Sequence, residues 1–157
     1  MDNGQHYRRA LGAFATGVAL VTTDGAEGPC GIVVNSFTSV SLKPRLVLWC
    51  LGDQSDRYGV FSIAERWAVN FLSAGQETVS SEFARPGAGH PEVARFAMRD
   101  GVPVHEGALA SLVCRTHDRV RLGDHLVIVG EVEAFDSAPG DALTYFRGRY
   151  GVARTED

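Results

Sequence analysis

Gly31-Ile32-Val33-Val34-Asn35-Ser36-Phe37-Thr38-Ser39-Val40-Ser41-Leu42 is the stretch that decides the fold, because a β-branched run passes into a run of small polar residues. The β-branched run predicts a strand over residues 31–39. Its second half, residues 35–39, places small polar side chains around the ring of Phe37. A buried strand tolerates such polarity only where each polar group has a partner. Two interpretations follow: the stretch lies against a flat polar ligand, or it is a polar edge strand with a Ser/Thr turn.

Other segments on both sides of this stretch also have the composition of strands. The predicted strands are residues 18–23, 46–51, 67–72, 109–120 and 125–135, followed by a short element over 143–147. Turn residues at 121–124 predict that the two long strands form an antiparallel hairpin. A second turn is predicted over residues 24–29, and Lys43-Pro44 separates the strand at 31–39 from the next one.

Helical patterns are short and lie between the strands. Tyr7, Leu11 and Phe14 share one face of a predicted amphipathic helix over residues 6–15. Further helical segments are predicted over 56–64 with Ser55 as its cap, over 76–84 and, after a loop at 85–91, over 91–97. Because regular helices do not separate the strands, the pattern argues against a doubly wound parallel sheet. It favours a mainly β fold, a small barrel with helical insertions.

Length and composition indicate a single domain over residues 1–157, with less ordered polar ends at 1–5 and 153–157. The net charge of −4 argues against nucleic acid or an anionic membrane as a partner, because both attract basic surfaces. The three cysteines are far apart, so we expect neither disulfides nor a zinc site, and a cytoplasmic location. No signal pattern or long apolar run predicts a leader or a membrane span.

The motifs of several common enzyme classes are missing from the chain. It has no GxxxxGK(S/T) phosphate loop, no GxGxxG turn, no GxSxG elbow and no HExxH helix. The five histidines lack metal-ligand spacing; His117 and His125 could face each other across the hairpin, but two histidines make a poor site and no metal is expected. What remains is a site made of strand edges, loops and helix starts, which suits an organic cofactor.

Two segments after the opening stretch could bind the phosphate end of such a cofactor. In residues 50–57, N–H groups at a helix start near Ser55 can bind phosphate, or Ser55 is only a helix cap. In residues 80–85, Phe83 could cover a ring and Arg85 could pair with phosphate. The alternative for this second segment is a core phenylalanine beside a solvated arginine.

Two segments near the C-terminus could contact another part of the ligand. Residues 123–125 place His125 at a strand start, where a histidine can orient an anionic or redox ligand, or have no task. Residues 145–151 combine two arginines with three aromatic residues. This segment fits stacking and charge pairing with a dinucleotide, or packing of a final strand onto a dimer partner.

In this order the segments resemble the flavin reductase-like family, small NAD(P)H:flavin oxidoreductases that serve two-component monooxygenases. The stretches that carry the resemblance are FATGV at 14–18, VTT at 21–23, GIVVNSFTSVSL at 31–42 with Pro44, WAVNFL at 67–72, Phe83-Ala84, GDH at 123–125, GEV at 130–132 and RGRYG at 147–151. They run through nearly the whole chain, and the ordered set is more specific than any one of them.

The resemblance implies a six-stranded antiparallel split β-barrel with a few short helices and a core over residues 14–151. It implies a homodimer that binds FMN or FAD between its subunits. It also implies an NAD(P)H:flavin oxidoreductase, which transfers a hydride from NADH or NADPH to the flavin and supplies reduced flavin to a partner monooxygenase. The cofactor supplies the chemistry, so no strong protein acid or base is required.

The same resemblance assigns roles to individual residues. It implies that the isoalloxazine and the ribityl chain contact Asn35, Ser36, Phe37 and Thr38. It implies that the phosphate is bound by Cys50, Leu51 and Ser55, and that the flavin or its phosphate also contacts Phe83 and Arg85. His125 would lie beside the nicotinamide as the catalytic residue, with Tyr150 near the same pocket.

Two other functions fit the same residues. The barrel could hold a flavin, or a haem, without reducing it. It could also be a flavin-dependent oxidase that acts directly on a small substrate. His125 favours the reductase over the binding protein.

Overall fold

The structure is a computed structural model that describes residues 3–87 and 92–156. It is mainly β, with short helices between the strands. The helices are α1 (Asn3–Gly12), α2 (Tyr58–Phe61), a 3-10 turn (Ala74–Gln76) and α3 (Glu77–Phe83). The strands are β1 (Thr16–Gly17), β2 (Ala19–Gly25), β3 (Gly28–Val34), β4 (Thr38–Leu42), β5 (Arg45–Gly52), β6 (Arg66–Phe71), β7 (Phe96–Arg99), β8 (Val102–His105), β9 (Ala110–Leu122), β10 (His125–Ser137), β11 (Ala142–Phe146) and β12 (Arg149–Ala153).

The largest sheet is antiparallel and has seven strands in the order β3-β2-β6-β9-β10-β5-β4. Its two edge strands, β3 and β4, follow each other in the chain and are separated only by residues 35–37. An extended segment of that length spans at most about 14 Å. The sheet is therefore curved enough to bring the end of β3 within that distance of the start of β4. The predicted single strand over 31–39 was wrong in this respect, because its polar half leaves the ladder at residue 35.

The inner face of the curled sheet is filled by aromatic and aliphatic side chains. Trp49 packs edge-on against Phe61 and Trp67, with ring centroids 5.6 and 6.0 Å apart. The indole N–H of Trp67 donates to the hydroxyl of Thr116 (2.9 Å), which satisfies its one polar atom inside the core. Along β5, buried residues alternate with less buried ones, which confirms the predicted strand over 46–51.

The first predicted helix is confirmed, but it begins and ends earlier than expected and covers Asn3–Gly12. The helix includes residues 3–5, part of the polar end expected to be less ordered. None of its residues is buried, and the apolar side chains predicted to share a face, Tyr7, Leu11 and Phe14, are 66%, 56% and 79% exposed. An amphipathic helix with an uncovered apolar face lacks the packing that usually stabilises such helices.

The predicted helix over 56–64 is mostly wrong, because only Tyr58–Phe61 is helical. Its N-cap position is Arg57, which makes no side-chain capping hydrogen bond. Ser55 instead accepts a hydrogen bond from the Arg57 main-chain N–H (3.2 Å) in the turn before the helix. The prediction over 76–84 is confirmed by the 3-10 turn and α3, where Ser73 and Gln76 form a capping box.

The predicted helical turn over 91–97 is also wrong. Residue 91 lies outside the described residues, and Phe96 and Ala97 begin β7, which pairs with β8. Tertiary packing explains the difference: the Phe96 ring lies edge-on to Phe83 and His105, with centroids 6.4 and 6.2 Å away. Sequence periodicity carries no information about these contacts.

The C-terminal half confirms the long hairpin, in which β9 and β10 are joined at Gly123-Asp124. The register pairs His125 with Leu122, so His117 does not face it and that expectation was wrong. In the described residues no group of three or more His, Cys, Asp and Glu side chains could hold a metal ion. The predicted element over 143–147 is β11, which pairs with β1 and with a strand that the sequence did not reveal, β12. No helix within the described part of the chain is long and apolar enough to cross a membrane.

Candidate functional site

The bend at residues 35–37 forms one wall of the main cleft, which has a volume of about 560 Å³. The opposite wall comes from residues 14–19, which connect α1 to β2, and the floor includes Phe71, Leu72 and Leu143. The predicted site residues at the cleft are Asn35, Ser36, Phe37 and Thr38. The structure therefore brings this predicted group together at a concave and largely apolar surface, the usual setting for a small-molecule site.

The polar residues of the bend divide into two groups. The Ser36 hydroxyl accepts a hydrogen bond from the Cys50 N–H (2.9 Å) and donates to the Cys50 carbonyl (3.4 Å), so it fastens the bend to β5. Phe37 packs edge-on against Phe71 at a centroid distance of 4.9 Å. Asn35 and Thr38 are exposed, and their side chains make no hydrogen bond within residues 3–87 and 92–156. Ser36 is thus structural, while Asn35 and Thr38 line the cleft with polar side chains that could meet a ligand.

A buried hydroxyl in the opposite wall also lacks a partner. Thr16 lines the cleft, and its Oγ1 is buried without a hydrogen bond to any described residue. A buried polar atom left unpaired costs about 1–3 kcal/mol. A ligand with carbonyl and imide groups, such as an isoalloxazine, offers the hydrogen bond that Thr16 lacks. The residues present therefore fit a flavin.

The cleft continues as a groove along β3, and its cavities follow the strand in residue order. Val34 and Asn35 line both the main cleft and a second cavity of about 220 Å³. Val33 lines that second cavity and a third one of about 350 Å³, which also contacts Ile32. We call this run of cavities the β3 groove. It suits an elongated ligand with a flat ring at one end.

The far end of the β3 groove contains three of the predicted residues: Ser55, Phe83 and Arg85. Phe83 is fully buried and packs on Gly31, where an added Cβ would lie 2.6 Å from its ring. Only a glycine permits this close approach. Arg85 is exposed, and its guanidinium pairs with Glu82 (2.9 Å), which offsets part of its charge.

An arginine that the sequence did not single out organises this end. Arg57 is 6% exposed, and its guanidinium donates to the carbonyls of Phe83 and Arg85, the latter at 2.5 Å. Asp56 accepts from the Gly87 N–H and lies 3.5 Å from the Arg57 Nε. We call this arrangement the Asp56–Arg57 clasp. An arginine in a polar loop is normally solvated, and its partners lie 26 and 28 residues away, so nothing local in the sequence indicated it.

Tyr150 lines the middle of the β3 groove. Its hydroxyl forms a hydrogen bond with Ser80 (2.7 Å), and its ring packs edge-on against Tyr145 at 5.4 Å. The strand that carries it, β12, is thereby held over α3.

Two predicted residues on β5 do not line the groove. Leu51 is fully buried in the core, so its side chain is turned away from any ligand. Cys50 is half-buried, and its main chain is hydrogen-bonded to Ser36 of the bend. Burial raises the pKa of the Cys50 thiol, and the Ser36 hydrogen bond offsets part of that rise, so the thiol is neutral near pH 7.

His125 lies apart from the groove, at the exposed start of β10 opposite Gly52. Its Nδ1 donates to the Asp124 carboxylate (2.8 Å), and this bond is the main reason that the pKa of Asp124 is lowered. None of the cavities described above includes His125. We call Asp124, His125 and Gly52 the His125 corner.

The fold and the groove together define a mainly β protein built to hold a flat, elongated organic ligand. The family described as "Flavin reductase like domain" matches residues 11–154. This match covers most of the chain, so the chain belongs to the flavin reductase-like family, as the sequence resemblance predicted.

Named relatives support the same assignment. The FMN reductase (NADH) SmoA of Agrobacterium fabrum is 43% identical over 96% of this chain and 86% of its own length. The reductase component of the flavin-dependent trigonelline monooxygenase of Acinetobacter baylyi is 40% identical over 91% of this chain, which spans only 47% of that relative. Among solved structures, the NADH:FAD oxidoreductase SgcE6 of Streptomyces globisporus, in complex with NAD and FAD fragments, superposes with a TM-score of 0.89. It is 34% identical, over 98% of this chain and 93% of that one.

Proposed function

We propose that this chain is an NADH-dependent flavin reductase that passes reduced flavin to a monooxygenase. The observation that carries the proposal is the β3 groove, which gathers most of the predicted flavin residues in the order that a flavin requires. SmoA and SgcE6 are named for NADH-dependent reduction of FMN and FAD, and the trigonelline relative is named as a monooxygenase component. Together these names support NADH as the reductant and an oxygenase as the partner.

In this proposal the isoalloxazine occupies the main cleft, where Asn35, Thr38 and Thr16 offer polar side chains to its edge. The ribityl chain follows β3 past Tyr150. The phosphate lies at the far end, near Ser55 and Arg85, where the Asp56–Arg57 clasp positions the backbone. The roles of Ser36, Phe37 and Phe83 are to shape this surface by packing, and those of Cys50 and Leu51 are limited to the main chain.

A bound FMN or FAD would supply N5 as the acceptor of the hydride that C4 of the nicotinamide gives up. The protein contributes alignment of the two rings and exclusion of water. His125 is the residue proposed to contact the nicotinamide, with Tyr150 nearby. The Asp124 carboxylate accepts the Nδ1–H of His125 and leaves Nε2 to face a ligand.

We propose that β3 and β4 act as one strand bent at residues 35–37. Counted in this way, the seven-stranded sheet becomes a closed, six-stranded split barrel. We further propose that residues 1–157 form one domain and that it operates in the cytoplasm. The short connection across the bend supports the closure.

We propose a homodimer that completes the site. The apolar face of α1 is uncovered, and the exposed Phe14, two residues past the end of the helix, lines the main cleft. A second copy packed on this face would cover α1 and close the open side of the cleft. It would also allow His125 of one copy to approach the groove of the other. Sedimentation of the purified protein should give the mass of a dimer, and Leu11→Glu should shift it to the monomer.

A steady-state assay that crosses NADH and NADPH with FMN, FAD and riboflavin tests the function. We expect oxidation of NADH that depends on added flavin. Absence of turnover with every combination would overturn the proposal. A tightly held flavin that NADH fails to bleach would indicate a binding protein, and oxygen uptake with a non-exchanging flavin would indicate an oxidase.

A further inference from the structure

The main cleft has a second branch, separate from the β3 groove. A cavity of about 430 Å³ shares Phe14, Thr16 and Asn35 with the main cleft and extends away from β3. Its own walls contain Arg8 from α1 and Arg147 from the turn between β11 and β12. We call this branch the arginine cavity. The cleft therefore forks at Asn35 into one arm that ends at Ser55 and another that ends at two guanidinium groups.

Both arginines are available to an anion. Each is exposed, and within residues 3–87 and 92–156 neither has a carboxylate within 4.0 Å. The Arg147 guanidinium also lies over the ring of its neighbour Phe146, 5.2 Å from the centroid, a contact that does not cancel its charge. The chain as a whole has a net charge of −4, so two cations without a carboxylate partner at one cavity form a local site of opposite sign. Guanidinium groups bind phosphate oxygens through paired, charge-assisted hydrogen bonds.

The backbone at Arg147 gives an independent reason to assign it a task. Arg147 and Gly148 form a two-residue hairpin turn with φ values of 49° and 76°. Such turns favour asparagine, aspartate or glycine at the first position, because other side chains are strained there. A strained residue that persists in a turn is a reason to look for a function of its side chain.

A main-chain contact holds the two arginines on one cavity. The Arg147 N–H donates to the Gly12 carbonyl at the end of α1 (2.9 Å). This bond fixes the turn against the helix that carries Arg8. The helix, which has no buried residue of its own, is therefore tied to the rest of the chain at the arginine cavity.

We propose that the arginine cavity binds the diphosphate of the pyridine dinucleotide, with Arg8 and Arg147 as the residues that select NADH over smaller hydride donors. This inference rests on the proposed function, in which the flavin tail occupies the β3 groove. With the flavin in the β3 groove, the arginine cavity is left for the other phosphorylated ligand, NADH. The reduced nicotinamide reaches the flavin in the main cleft while its diphosphate is held at the two guanidinium groups.

Steady-state kinetics of Arg8→Ala and Arg147→Asn test the proposal, with Arg9→Ala as the matched control. Arg9 is next to Arg8 on the same helix but does not line the cavity, and its loss changes the net charge equally. We expect each cavity variant to raise the KM for NADH about 10-fold, as loss of a charge-assisted hydrogen bond does, with kcat and the KM for FMN unchanged. Asparagine suits the turn conformation, so Arg147→Asn should fold with an equal or higher Tm.

A second hydride donor separates this inference from the proposed function. The donor 1-benzyl-1,4-dihydronicotinamide has no phosphate, so its KM should be the same in all variants and wild type. If wild type oxidises NADH but the cavity variants match Arg9→Ala, the inference fails and the reductase function stands. A rise in the KM for FMN instead of NADH would assign the cavity to the flavin and also overturn it. No NADH oxidation by wild type would overturn the proposed function itself.

Discussion

The residues of the β3 groove and of the His125 corner were predicted to form two ends of one site, but in the structure the two regions differ in how they are held. The groove is assembled within one chain, because Ser36, Arg57 and Tyr150 each bind another segment through hydrogen bonds. His125 is exposed and makes its side-chain hydrogen bond only to its neighbour Asp124 within the described residues. The groove proposed for the flavin is therefore preorganised within a single chain, whereas His125, the residue proposed to contact the nicotinamide, lies outside that groove.

Breaking the Asp56–Arg57 clasp should have the largest effect and should affect only the groove. Arg57→Ala leaves the carbonyls of Phe83 and Arg85 and the Asp56 carboxylate without their partner. The Asp56 side chain is 46% exposed, so the main loss is at the two carbonyls, and each buried acceptor left without a partner costs about 1–3 kcal/mol. Urea unfolding should report this loss.

Arg85→Ala is the control for the clasp, because its exposed ion pair contributes at most about 1 kcal/mol to the free energy of unfolding. Equal stability of the two variants would contradict the clasp. A stable Arg57→Ala protein that binds flavin normally would contradict its role at the groove.

Two substitutions in the bend should separate folding from binding. Ser36→Ala removes the acceptor of the Cys50 N–H and should lower the free energy of unfolding by about 1–2 kcal/mol. Asn35→Ala removes an exposed side chain and should leave stability unchanged, while the Kd for FMN rises about 10-fold. Denaturation curves and flavin fluorescence titrations measure the two effects. If Ser36→Ala changed only the Kd for FMN and not the stability, Ser36 would be a binding residue and not the structural residue described above.

His125→Ala should change the nicotinamide end without changing the groove. We expect kcat/KM for NADH to fall about fivefold, with the Kd for FMN unchanged, because His125 lines none of the groove cavities. Stopped-flow reduction of protein-bound FMN measures the effect. A parallel change in the Kd for FMN would show that His125 also affects flavin binding, so that the two regions are not independent.

The smallest expected effect is a pH dependence of the free energy of unfolding that comes from His105 and not from the His125 corner. The His105 ring packs edge-on against Phe96, which packs in turn against Phe83 of the groove. Burial lowers the pKa of His105 from 6.5, and the main chain of Arg95 and the Glu106 carboxylate offset only part of that change. Below pH 6.5 the unfolded chain binds a proton that the folded chain does not, so the free energy of unfolding should fall as the pH drops until the folded pKa is passed. His105→Asn should flatten this slope in urea titrations between about pH 5 and 8.

Asp124 at the His125 corner does not interfere in that range. The pKa of Asp124 is lowered from 3.8, so the stability that this carboxylate contributes is lost only as the pH falls through its folded pKa, below the window measured. An unchanged slope in His105→Asn would assign the pH dependence to another group.

Much of the site could be predicted because its residues are close in sequence. Residues 35–38 follow a strand, and a run of four can line one cleft without help from distant segments. The structure also gathers Ser55, Phe83 and Arg85, which both the residue chemistry and the resemblance singled out, at one end of the groove. Tyr150 was expected near His125, but it lines the middle of the groove instead. Leu51 shows the limit of that resemblance, since a motif does not say which face of a strand a side chain takes.

The failures share a physical cause. The helix over 56–64 was cut short and Phe96 joined a strand because contacts with distant residues outweighed local propensity. Arg57 was missed for the same reason, as its partners are the carbonyls of a helix end far along the chain. No pattern within a window of the sequence records such contacts.

By itself the sequence determined that the chain is mainly β, that residues 31–42 are its distinctive segment and that it resembles the flavin reductase-like family. These properties depend on composition and on the order of short motifs, which are local. The tertiary structure alone decided that β3 and β4 form the opposite edges of one seven-stranded sheet, that the cleft forks at Asn35 and that Arg57 and Arg147 line its two arms. Those outcomes depend on which distant segments pack together, and packing is settled by the whole chain at once.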